Sequence, residues 1–210
     1  RANINTDEAQ EWLYSQNTTP DNMNWLLQIE STEQTTCTIN YENARDLSIT
    51  INADKTIDTD AGACLTRYPS GESYWLRISR SCYNYEFEIS CDKSFSTNLI
   101  YKKTEGVGSD VIYISGDTNT ASPNGKTTEQ VDSLCFTQDD SCDYETNLWA
   151  ALILNLVGNY DVSPYLPYLV TMRDETENQQ YLPEAFLYPL TSDFRGELLS
   201  IPLPVSSNRN

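Results

Sequence analysis

Tyr85-Glu86-Phe87-Glu88-Ile89-Ser90-Cys91 is the stretch that decides the class of fold. Tyr85, Phe87, Ile89 and Cys91 alternate with Glu86, Glu88 and Ser90, so an extended chain turns one face apolar and the other polar. A helix would scatter the same four residues around its circumference. The period of two recurs on both sides of this stretch. Upstream it runs through Trp25, Leu27 and Ile29, then Cys37, Ile39 and Tyr41, then Leu47, Ile49 and Ile51, and again at Tyr74, Leu76 and Ile78. Downstream, Phe95 to Tyr101 and Val111 to Ile114 complete the set. Asn52-Ala53-Asp54-Lys55 supplies a turn before Ile57. Six or seven short strands spaced by turn residues predict a two-layer antiparallel β domain. Tyr74, Tyr85 and Tyr113 are expected to point into its core.

Helical periods flank this region. Thr6 can cap a first helix in which Ala9, Trp12 and Leu13 form one apolar stripe, and Pro20 breaks it. Gly116 to Lys126 is polar, carries Pro123-Asn124-Gly125, and reads as a linker. Beyond it Asp143 caps a helix with Leu148, Trp149, Ala151, Leu152, Ile153, Leu156 and Val157 apolar almost all round, which predicts burial on every side. Shorter helices are expected after Ser163-Pro164, from Pro183 and after Ser192 or Asp193. The predicted fold class is α+β: an antiparallel β-sandwich-like domain (25–116) inserted between an N-terminal helix (1–24) and a C-terminal α-helical group (127–200). A linker at 117–126 and an extended tail at 201–210 complete the division.

Two segments carry a family resemblance. Ala9-Gln10-Glu11-Trp12-Leu13 and Tyr144-Glu145-Thr146-Asn147-Leu148-Trp149-Ala150-Ala151-Leu152, followed by Gly158, resemble the helix openings of terpenoid-cyclase and prenyltransferase-like α/α-toroid repeats. Such repeats also occur in secreted archaeal proteins. The resemblance implies a partial helical toroid without its chemistry. The D-x-D-D acid motif, the Q-x-x-x-G-x-W repeat and the thioester C-G-E-Q are all missing, and so is the zinc-binding His.

Cysteine usage points outside the cell. The six, Cys37, Cys64, Cys82, Cys91, Cys135 and Cys142, form no C-x-x-C pair, and the chain has no His. Three disulfides in an oxidising compartment are the economical reading. Cys135 and Cys142 should pair across a short loop. If Tyr74–Arg80 and Tyr85–Cys91 form a hairpin, Cys82 sits in its turn, and strand rise places Cys91 roughly 20 Å away, beyond disulfide reach. Cys37 and Cys64 would then bind Cys82 and Cys91 in either order. Asn17-Thr18-Thr19 is a sequon compatible with an extracellular glycoprotein. The chain opens Arg1-Ala2-Asn3 and reads as a mature product, or an excised segment, from which any export signal has gone. The expected location is extracellular or at the cell surface.

Charge narrows the partners. With 31 acids against 13 bases the net charge is −18, which repels nucleic acid and anionic membranes. No apolar run reaches the roughly 18 residues of a membrane span. Absence of His removes the usual nucleophilic triad, so no catalytic residue is assigned and the expectation is a non-enzyme. Asp54, Asp58 and Asp60, followed by Gly62, are candidate Ca²⁺ ligands, the one cofactor the sequence raises. Asp139, Asp140, Asp143 and Glu145 form a second acidic cluster.

The C-terminal tail is the most suggestive feature. Ile201-Pro202-Leu203-Pro204-Val205 cannot be helical. Extended, it turns Ile201, Leu203 and Val205 to one face and their backbone groups to one edge, while the prolines address the edge that needs no ladder. This is the pattern of an edge or donated strand. The function expected is a self-assembling structural subunit of a filament or surface layer. The alternative is a secreted glycan- or peptide-binding module using a Tyr-rich β face.

Overall fold

A computed structural model describes residues 15–42, 44–69, 73–106, 109–139, 141–157 and 160–200. The helix expected around Ala9, Trp12 and Leu13 and the tail residues Ile201, Leu203 and Val205 lie outside these residues. The chain divides into two compact units, one of residues 21–132 and one of residues 1–20 with 133–210.

The first unit holds two antiparallel sheets. One has the order β10-β7-β3-β4, from Lys126–Gln130 (β10), Glu86–Cys91 (β7), Thr35–Tyr41 (β3) and Ala44–Ile51 (β4). The other has the order β5-β6-β2-β8-β9, from Leu65–Tyr68 (β5), Trp75–Ile78 (β6), Met23–Ser31 (β2), Phe95–Lys103 (β8) and Tyr113–Ala121 (β9). The alternation that announced β7 appears as burial of Phe87, Ile89 and Cys91, with Glu86 exposed. In β3 the buried set is Cys37, Ile39 and Tyr41. Trp25 packs its ring 4.9 Å from that of Tyr101 in the core of the other sheet. A buried Glu129 on β10 links the sheets, because its Oε1 accepts from the Thr97 hydroxyl of β8 (2.6 Å) and the Asn119 amide of β9 (2.9 Å).

Several expectations need correction here. Tyr74–Arg80 and Tyr85–Cys91 are not a hairpin: β6 pairs with β5 and β2, while β7 pairs with β3 and β10. The Arg80–Cys82 3₁₀ turn carries the chain from one sheet to the other. Residues 117–126 are not a linker. β9 runs through them to Ala121, the Pro123-Asn124 turn follows, and β10 begins at Lys126. Thr, Asn and Gly on an edge strand lack the apolar alternation that reveals a strand. Tyr74 is 43% exposed, and Tyr85 and Tyr113 are only half-buried, so the aromatic core is built instead from Trp25, Tyr41, Phe87 and Tyr101.

Gly62 turns the chain between β4 and β5 at φ +73°, and a Cβ there would collide with the Tyr41 hydroxyl. That hydroxyl donates to the Ala61 carbonyl and accepts from the Cys64 amide, so glycine is required on two counts.

Among the described residues, the second unit joins a small three-stranded sheet to four helices. Its strands are Asn17–Thr18 (β1), Cys135–Gln138 (β11) and Ser141–Cys142 (β12), in the order β1-β11-β12. Its helices are Tyr144–Val157 (α1), Leu166–Met172 (α2), Pro183–Thr191 (α3) and Arg195–Ser200 (α4). Asp143 caps α1, accepting from the Thr146 amide at 2.7 Å. Residues 127–130 and 135–138, placed in the helical group by the sequence, belong to strands β10 and β11. The toroid resemblance fails for the same reason. The described residues are mostly β, and four short helices gathered after Tyr144 do not make repeating α/α pairs. What stands is an α+β chain with a sheet core and a C-terminal helical cluster.

Candidate functional site

The three disulfides are Cys37–Cys91, Cys64–Cys82 and Cys135–Cys142, and all six cysteines are used. Cys37 and Cys91 face each other directly in the β3–β7 register. The Cys64–Cys82 bridge ties the turn after Gly62 to the 3₁₀ turn after β6.

Asp54, Asp58 and Asp60 are not brought together as a cation site. Each is taken up by hydrogen bonds of its own. Asp54 accepts from the Thr56 hydroxyl and amide, which hold its carboxyl below the usual range. Partial burial pushes the Asp58 carboxyl up, but hydrogen bonds from Thr50 and Thr59 outweigh it and leave it lowered. Asp60 accepts from the Arg67 amide at 2.8 Å and its Nε at 3.3 Å. Among the described residues, no group of three His, Cys, Asp or Glu is placed to hold a metal ion. Asn17 lies in β1, where its side-chain oxygen accepts from the Tyr165 hydroxyl at 3.1 Å.

Two apolar surfaces face solvent instead. On α1, Trp149 (50% exposed), Ile153 (55%) and Leu156 (72%) form a stripe at i, i+4, i+7. Burial all round was expected; the buried arc is the opposite one, of Tyr144, Asn147, Leu148, Ala151 and Leu154. The Trp149 ring meets the Phe186 ring of α3 edge-on at 4.8 Å.

The other surface is the edge strand β9 with its approach, Val111 and Ile112. Among the described strands β9 pairs only with β8, leaving its far edge open. Ile114 is 62% exposed, and Ile112, just before the strand, 41%. Natural edge strands are ordinarily blunted by charge or proline, yet Val111 to Ser115 carries neither. Such an edge offers backbone donors and acceptors beside apolar side chains, which is what an added strand requires. The sequence shows Val111 to Ile114 as apolar but gives no sign that this strand lies at an edge.

No helix among the described residues is long and apolar enough to cross a membrane. Compared with family models, curated proteins and solved structures, the chain matches none of them.

Proposed function

We propose that this chain is a non-enzymatic, extracellular structural subunit with a sandwich-like β body, which assembles by donating residues 201–205 to the β9 edge of another copy. The supporting observation is the open β9 edge, with Ile112 and Ile114 exposed and no charge from Val111 to Ser115. Its counterpart is the proline-spaced tail, in which an extended chain would turn Ile201, Leu203 and Val205 to one face and offer its backbone to a single ladder. Three disulfides suit an oxidising location. A segment passed from copy to copy, head to tail, builds an open polymer. Electron microscopy of the purified chain should show fibres. Replacing Ile201, Leu203 and Val205 with Ser should leave folded monomers. Fibres persisting in that variant would overturn the reading.

A second reading, binding of glycan or peptide on an aromatic β face, draws on one arrangement. Tyr68 and Trp75 pair across β5 and β6, with Arg77 Cζ 5.9 Å and Lys102 Nζ 6.0 Å from the Tyr68 ring. Glycan-array binding by a monodisperse protein would favour it.

A further inference from the structure

A cleft of about 270 Å³ opens in the β unit where β6 runs into its 3₁₀ turn, lined by Asn24, Thr66, Arg77, Ser79, Arg80 and Tyr83 among others. Its composition is the reverse of the chain's. Acids outnumber bases 31 to 13 overall, yet this cleft holds two arginines and no carboxylate among its lining residues. Lys55, Arg67, Lys126 and Arg173 each form an ion pair, whereas among the described residues neither Arg77 nor Arg80 does. We infer that this cleft binds a small oxyanion, the carboxylate of an acidic sugar or an inorganic phosphate, between the Arg77 and Arg80 guanidiniums.

The two arginines are placed differently. Arg77 lies on β6 opposite Thr66 on one side and Leu26 on the other, and its side chain is exposed. Arg80 opens the 3₁₀ turn and donates through one terminal nitrogen to the Asp21 carbonyl. A guanidinium has five N–H donors in a planar fork, so that anchor orients Arg80 and leaves most of its donors for a ligand. Both charges are felt at the Tyr83 hydroxyl: burial raises its pKa, and a backbone hydrogen bond, then Arg80 and Arg77, pull against that rise. Planar forks match carboxylate and phosphate oxygens. Asn24, Thr66 and Ser79 add neutral groups suited to hydroxyls or the remaining oxygens.

The walls are braced. The Cys64–Cys82 bridge joins the two turns that carry Ala63 and Arg80 to the cleft. Ser79 also donates its amide to the Cys64 carbonyl at 2.8 Å, and Cys82 donates to the Ser79 carbonyl at 2.8 Å. Little ordering is then left for a ligand to impose. A volume just under the usual lower limit of roughly 300 Å³ for ligand pockets restricts the occupant to about one sugar ring or a bare oxyanion.

Calorimetric titration with glucuronate, inorganic phosphate and neutral glucose tests this site. Glucuronate or phosphate should give a single saturable isotherm that weakens with added salt, and glucose should give none. Tighter binding of glucuronate than of phosphate identifies an acidic sugar as the ligand; the opposite order identifies an inorganic oxyanion. Arg77→Gln and Arg80→Gln should each weaken binding about 10-fold or more, the loss of roughly one charged hydrogen bond. Because Arg80 also anchors the chain at Asp21, the solvent-exposed Arg77→Gln decides the matter if Arg80→Gln misfolds. Failure of both anions to bind, equal binding of glucose, or an unchanged isotherm in Arg77→Gln would each overturn the proposal.

Discussion

Asn147 shows how a single polar side chain can hold a unit together. It is fully buried on α1, and its Nδ2 donates to the carbonyls of Phe136 (2.8 Å) and Asp143 (2.6 Å). Its Oδ1 accepts from the Phe136 amide at 2.8 Å, which docks α1 onto β11 through both backbone groups of one strand residue. Asn147→Ala would strand those groups in a core that also contains Phe136, Leu154, Val162 and Tyr165. The expected loss of stability is about 3 kcal/mol, read from urea unfolding. Asp92 works at the surface in a different way. The Thr35 hydroxyl (2.5 Å) and the Thr36 amide (2.9 Å) donate to its carboxylate and hold its pKa below the ordinary value. A carboxyl with a depressed folded-state pKa contributes stability above its unfolded pKa and loses it as the pH falls through the folded value. Wild type should therefore be more stable than Asp92→Asn at pH 7, and the difference should vanish as the carboxylate is protonated. A difference that persists unchanged into strong acid would contradict this account.

Among the elements, legibility followed side-chain period. Strands with one buried face, such as β3 and β7, could be read directly because Cys37, Ile39 and Tyr41, or Phe87, Ile89 and Cys91, alternate with polar residues. The start of β9 was legible at Val111 to Ile114, but its continuation and β10 were not, because Gly116 to Ala121 and Lys126 to Gln130 are almost wholly polar and β10 pairs with the non-adjacent β7. α1 failed in the opposite sense. Apolar residues on all sides conceal which arc is buried, and Glu145, beside Trp149 and Leu156 on the helix wheel, is the one hint at the exposed arc. Partners of Cys37 and Cys64 could not be chosen because sheet order, which sets them, is not a local property. Those bridges differ in the length of chain they close. Cys37–Cys91 spans 54 residues and Cys135–Cys142 only 7. On the chain-entropy argument, replacing the first pair with Ser should cost about 4 kcal/mol and the second nearer 2 kcal/mol. Thermal unfolding of the two double variants checks that order, and equal losses would show that closure length does not govern their contributions.

Across the whole molecule, charge and exposed apolar surface pull in opposite directions. A net charge of −18 keeps copies apart in solution, whereas Ile112 and Ile114 on an open strand edge favour contact. Salt shortens the range of the repulsion without weakening apolar contact, so added salt should promote assembly. Neutral pH and low salt should favour dispersed subunits. The most direct test of strand donation is to place a photo-crosslinking amino acid at Ile114 and irradiate a mixture of ¹⁴N- and ¹⁵N-labelled subunits. The account predicts crosslinked peptides that join position 114 of one isotope to residues 201–205 of the other. Crosslinks to that tail only within a single isotope, or none to it while fibres are present, would contradict it.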